Sequence, residues 1–270
     1  MSAKTKYPIL LVHGMGFRDY KRISYWGRIP KMLESLGCQV FFGGQDSNAD
    51  IETNGRHLAS RIEQILKETG AEKVNIIAHS KGGLDSRYAI SKLGMADKVA
   101  SLTTMLTPHH GSKTIDKLLK IPRPLFRFGC FFADVWFRVL GDRHPRTYAV
   151  IESFSTESAR RFNAEVTDSD SVYYQSYAFV MKRATSDGLM WFQYLFVKRF
   201  DGENDGLLSP ESVKWGEFRG IYRGAGRRGI SHCDEIDLRR RRLSKKKGEG
   251  VCDIVDLYCD AVRDLAEKGF

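Results

Sequence analysis

The stretch NIIAHSKGGLDSRY (75–88) places a serine, Ser80, where an apolar run gives way to a helical pattern. A serine hydroxyl is a poor nucleophile until a base takes its proton, and attack on an ester carbonyl leaves an oxyanion that needs hydrogen-bond donors. A sharp strand-to-helix elbow holds such a serine in strained backbone geometry with its hydroxyl projecting from the sheet. Strand and helix then pack so closely that the positions two before and two after the serine need tiny side chains. Ala78 and Gly82 fill them, and Gly83 adds room. An alanine at the first position changes the letter of the Gly-x-Ser-x-Gly motif but not its physics. An ordinary small-residue turn would look the same in isolation, so Ser80 needs partners elsewhere in the chain.

HGMG (13–16) follows the first apolar run, where a loop could lend the backbone N–H of Met15 to an oxyanion. The second donor would be the N–H of Lys81, at a helix start whose dipole favours negative charge. Seven histidines compete for the role of base. His13 and His79 sit at strand ends and read as structural, His57 lies on a helix ahead of the serine, and His144 lies in an inserted segment. His109 and His110, in TPHHGS, are expected to shape the pocket. His232, in GISHCDEID, comes late, in a loop before the last helix, and fits the chain order serine, acid, histidine. For the acid, GENDGLLSP (202–210) offers Glu203 and Asp205. Asp-Gly pairs are usually plain turns; in company with Ser80 and His232, Asp205 is preferred, as a carboxylate that fixes the imidazole tautomer.

These residues need a frame that brings them together. Apolar runs at 7–13, 38–44, 73–79, 99–106 and 172–180 read as strands, with helical patterns at 25–36, 54–69, 81–93 and Ile254–Glu267. Their alternation predicts an α/β protein, a mostly parallel central sheet flanked by helices. Without linker, repeat or low-complexity tract, residues 1–270 read as one domain, with a cap inserted at about 113–150.

The formal net charge is +10, which favours anionic partners. The basic runs RRRR (239–242) and KKK (245–247) read as solvated surface, and no groove-reading or aromatic residues accompany them, so nucleic acid is not expected as a partner. Five cysteines without a C-x-x-C pair suggest reduced, buried thiols rather than a disulfide framework or zinc site. MSAKTKYPILLVHG lacks the form of a signal peptide and no run reaches the length of a membrane span, so the chain reads as cytoplasmic unless a leader has been removed.

Taken in order, YPILLVHGMG, AHSKGGLDSRY, LTPHHGS, NDGLLSPES and ISHCDEIDL resemble the bacterial true lipases of the α/β-hydrolase superfamily, over roughly residues 7–112 and 172–270. The resemblance implies the α/β-hydrolase fold, with Ser80, Asp205 and His232 as triad and Met15 and Lys81 as oxyanion donors. It implies no cofactor for catalysis, but a structural calcium tying the acid-bearing loop to the histidine-bearing loop. Asp234, two residues after the histidine, would be one ligand, and Asp187 matches an upstream one. The sequence departs from the family at Leu238, where related lipases carry glutamine, and an arginine run follows.

Within the inserted segment, Phe128, Phe131, Phe132, Val135, Trp136, Val139 and Leu140 recur at helical spacing, and Gly141 marks a stop. Such a stripe is either buried against the core or, as the resemblance favours, forms a lid. Its apolar face, with Phe128, Phe132 and Trp136, would then cover the Ser80 pocket and turn to lipid on opening. The expected function is hydrolysis of carboxylic esters, foremost by a lipase on acylglycerols with transient binding at a lipid interface. A carboxylesterase, phospholipase or acyltransferase on the same frame is the alternative, and a catalytically silent binding protein the non-enzymatic one.

Overall fold

The computed structural model describes residues 4–19, 24–245 and 248–270; Lys246 and Lys247 of the expected basic run fall outside them. Six strands, β1 (Ile9–Val12), β2 (Val40–Phe42), β3 (Val74–His79), β4 (Val99–Met105), β5 (Tyr173–Val180) and β6 (Glu217–Arg223), form one sheet in the order β2-β1-β3-β4-β5-β6. Every neighbouring pair is parallel. β1, β3 and β4 are buried at every position, as strands covered on both faces must be, which is why they read as continuous apolar runs. Polar side chains inside the sheet are satisfied, some by each other: Ser101 Oγ donates to Asn75 Oδ1 (2.7 Å) and Gln175 Nε2 to Thr103 Oγ1 (2.8 Å).

Ten α-helices are found among the described residues: α1 (Ile29–Ser35), α2 (Ile51–Thr69), α3 (Lys81–Lys92), α4 (Lys113–Leu118), α5 (Arg123–Val139), α6 (Thr147–Ser153), α7 (Thr156–Glu165), α8 (Trp191–Phe200), α9 (Pro210–Val213) and α10 (Ile254–Glu267). α1 and α10 cover one face of the sheet around Trp26 and Tyr258; α2 and α3 cover the other around Leu58, Ile62 and Ile90. The caps match local chemistry. Asp50 accepts from the Thr53 N–H at the start of α2, which ends on Gly70 in a left-handed conformation (φ 69°).

The insertion between β4 and β5 carries four helices and runs to Glu165, further than the 113–150 expected. Side-chain carboxylates fasten it. Asp201, at the end of α8, accepts from Ser112 Oγ and from the Lys113 and Thr114 N–H groups and so caps α4. Asp142, just after α5, accepts from the N–H groups of Ser47 and Asn48. α5 forms at the expected residues, but Cys130 is its only buried side chain.

The helices α4, α6, α7 and α9 were not read from the sequence, and two other elements also escaped it. β6, in GEFRGIYR, is an edge strand with partly exposed, charged positions, so it lacks the apolar run that marked the others. α8 is apolar on nearly all sides and has no single stripe to mark it.

Candidate active site

Ser80 follows the last residue of β3 and precedes α3, at the C-terminal edge of the parallel strands, where ligands bind in sheets of this kind. Its backbone lies at φ 51°, ψ −128°, a region an L residue occupies only under strain. Hydrogen bonds hold it there: the Ser80 N–H donates to Met105 O (2.9 Å), and Ser80 O accepts from Thr107 Oγ1 (2.7 Å) and the Gly83 N–H (3.1 Å). The small residues are required by contact. A Cβ on Gly82 would stand 2.5 Å from His13 O, and one on Gly14 would stand 2.9 Å from the Ser80 Cβ.

His232 Nδ1 lies 2.5 Å from Asp205 Oδ2. The other oxygen of Asp205 accepts from the N–H groups of Leu207 (2.8 Å) and Leu208 (2.7 Å), so this fully buried carboxylate is fixed by three donors. The loops are also joined through their backbones, His232 N–H donating to Asp205 O at 3.0 Å. Ser80 and His232 line the same cavity of about 380 Å³, though no hydrogen bond joins their side chains in this structure. Such a contact commonly tightens only with substrate in place.

Met15 lines this cavity and Lys81 opens α3 beside Ser80. Neither N–H is taken up by an acceptor among the described residues. The remaining walls are mostly apolar, with Phe17, Ile115, Leu118, Ile151, Met190 and Leu208 among them. The buried Lys81 side chain turns away into α3, where Nζ bonds both oxygens of Asp85 (2.7 Å each).

Against the cavity, with Tyr25 and His79 on its wall, runs a buried polar chain that the sequence did not announce. The Gly14 N–H donates to Tyr25 Oη (3.0 Å), which lies 2.8 Å from His79 Nδ1; His79 Nε2 lies 3.0 Å from Glu235 Oε2. Burial, together with the His232 and His13 rings, keeps His79 neutral. A neutral ring donates through one nitrogen and accepts through the other, so it bonds both Tyr25 and Glu235. Burial, with Asp205 close by, pushes the Glu235 carboxyl well above the usual range. A glutamate three residues after His232 was the only trace of this chain in the sequence.

Other expectations need correction. His109 and His110 do not reach the cavity; His109 is buried against Trp215, their rings 5.1 Å apart, and His110 bonds Lys214 O. Phe128, Phe132 and Trp136 do not cover Ser80 either. They are 63%, 57% and 60% exposed, and α5 lies beyond Ile151, which separates the Ser80 cavity from a second hollow lined by Leu125 and Phe126. The stripe is therefore neither a buried core face nor a closed lid.

The structure does bring Asp187 and Asp234 together, but around a guanidinium. Arg239 Nη2 lies 2.7 Å from Asp187 Oδ1 and Nη1 3.0 Å from Asp234 Oδ1. Calcium takes six to eight oxygen ligands; here a protein cation already stands between the two carboxylates, and the residues do not fit a calcium ion.

The comparisons agree with the frame. Residues 42–126 match the family described as "Putative serine esterase (DUF676)". The chain is 29% identical to triacylglycerol lipase 2 of Saccharomyces cerevisiae, over 94% of this chain and 77% of that one. It is 40% identical to the triacylglycerol lipase of Pseudarthrobacter phenanthrenivorans, over 42% of this chain and 37% of that one. Among solved structures, Staphylococcus hyicus lipase superposes with a TM-score of 0.70 at 17% identity, covering 98% of this chain and 97% of the other. The fold is that of the α/β-hydrolases, and the resemblance to triacylglycerol lipases read from the motifs holds along most of the chain.

Proposed function

We propose that this protein hydrolyses carboxylic esters through Ser80, His232 and Asp205, and that its substrates are acylglycerols presented at a lipid surface. The observation that carries the reading is His232, held 2.5 Å from the buried Asp205, lining an apolar cavity shared with a serine on a strained elbow. His232 takes the proton of Ser80 Oγ as the hydroxyl attacks the ester carbonyl, and the Met15 and Lys81 N–H groups hold the oxyanion. His232 then protonates the leaving alcohol. Water, deprotonated by the same ring, releases the fatty acid from the acyl-enzyme. Asp205 keeps Nδ1 protonated and offsets the charge of the imidazolium.

The apolar walls suit an acyl chain, and the surface around them suits its source. Besides α5, α8 exposes Trp191 (52%), Phe192 (63%) and Leu195 (50%), next to Met190 on the cavity wall. Exposed large apolar side chains grouped on a helix face mark a surface for an apolar partner such as lipid. Among the described residues no helix is long and apolar enough to cross a membrane, so contact with lipid would be interfacial.

A serine-reactive phosphonate should label the protein once, with loss of esterase activity, and Ser80→Ala should abolish both. Activity surviving in Ser80→Ala would refute the assignment. Rates on emulsified long-chain acylglycerols against a dissolved short-chain ester separate the lipase from the carboxylesterase reading.

A further inference from the structure

The basic run RRRR (239–242) reads as solvated surface, yet its first member is folded inward. Arg239 is 23% exposed and spans two carboxylates, Asp187 (0%) and Asp234 (7%), that come from segments more than forty residues apart. Every oxygen of the pair is already engaged. Asp187 Oδ1 accepts from Arg239 and from the Leu189 N–H (2.9 Å), and Oδ2 from Ser231 Oγ (2.5 Å). Asp234 Oδ1 accepts from Arg239; Oδ2 lies 3.2 Å from Ser231 N and 3.0 Å from Ser231 Oγ.

Two buried carboxylates this close repel each other and would be costly to bury without a counter-charge. A guanidinium is suited to the position because its planar fork meets both at once, which an ammonium cannot do with fixed geometry. The location gives the tie its purpose. Ser231 precedes His232, and the segment after Asp187 leads to Met190 on the cavity wall.

We propose that the Arg239 guanidinium is the built-in cation that fastens the histidine-bearing loop to the segment preceding α8, and that it makes a divalent ion unnecessary there. Arg239 is a positioning residue: it touches neither the cavity nor a triad side chain. The inference does not rest on the ester-hydrolase reading, since its test is read from melting temperature.

The wild-type protein should melt at the same temperature in excess EDTA and in millimolar calcium. Arg239→Gln removes the guanidinium that the two carboxylates share and leaves, among the described residues, only Arg228, with Nη2 3.8 Å from Asp234 Oδ2, as a nearby cation. It should melt several degrees lower, and calcium should restore part of that loss while leaving the wild type unmoved. Arg239→Lys should fall between the two. The response to calcium distinguishes a missing cation from a general packing defect. If calcium raises the wild-type melting temperature, or EDTA lowers it, the proposal is overturned; the wild-type arm holds even should Arg239→Gln fail to fold. An Arg239→Gln protein as stable as the wild type would also overturn it.

Discussion

Tyr25 Oη lies 2.8 Å from His79 Nδ1 while accepting the Gly14 N–H, so one phenol joins the loop that carries Met15 to the residue just before Ser80. Tyr25→Phe removes the link and leaves both partners buried without it, a loss of about 1–3 kcal/mol. The melting temperature should fall. Because the Gly14 N–H that is freed lies next to the proposed oxyanion donor, kcat on a dissolved ester should fall while KM stays near its wild-type value. An unchanged kcat in a destabilised protein would show that the link serves stability alone.

Asp205 holds His232 through one oxygen and two backbone N–H groups through the other. Asp205→Asn keeps the shape but offers the ring an amide that can favour the wrong tautomer, and a loss in kcat of about 10⁴-fold is the scale for such a change. Steady-state rates at neutral pH check this. A loss below tenfold would move the role of acid to another carboxylate, with Glu235 the first to test, since Oε2 lies 3.9 Å from His232 Nδ1.

Glu235 is buried among His79, His232, Asp205 and Tyr258, and burial together with Asp205 raises its folded pKa well above 4.5. The folded protein thus keeps a proton that the unfolded chain releases above that value. The stability this contributes is fully present below about pH 4.5 and is lost as pH rises towards the folded pKa. Glu235→Gln resembles the protonated form at every pH. Its melting temperature relative to wild type should therefore climb between pH 4.5 and 8; a flat or falling difference would mean that Glu235 is ionised in the folded state.

The side chains of Phe128, Trp136, Trp191 and Phe192 are all more than half exposed and stand away from the Ser80 cavity. Replacing Trp136 and Phe132, or Trp191 and Phe192, with serine should leave the melting temperature within a degree or two of wild type, because exposed side chains contribute little to the core. Activity on emulsified acylglycerol should drop several-fold, with hydrolysis of a dissolved ester retained. Equal losses on both substrates would count against a lipid-facing role.

How much of this was legible beforehand differs from element to element. β1, β3 and β4 were plain because strands buried on both faces read as largely apolar runs, and α10 was legible to the residue from its periodicity. The edge strand β6 and the all-round apolar α8 lacked those signatures, and neither was found. The α5 stripe was visible, but periodicity reports only that a face is apolar. It cannot say whether that face meets protein, cavity or solvent.

The sequence by itself determined the parts: a serine between tiny neighbours, a late histidine, an aspartate in an Asp-Gly turn, and glycines wherever backbones must touch. Local geometry and chain order are enough for that, since an elbow and its crowding are properties of a few consecutive residues. Only the tertiary structure decided which distant groups share a charge or a proton. Tyr25, His79 and Glu235 form one chain because β1, β3 and the histidine loop converge at a single edge of the sheet. Arg239 became an internal cation rather than a surface one because folding placed it between Asp187 and Asp234, in a setting where low dielectric makes an unpaired charge expensive.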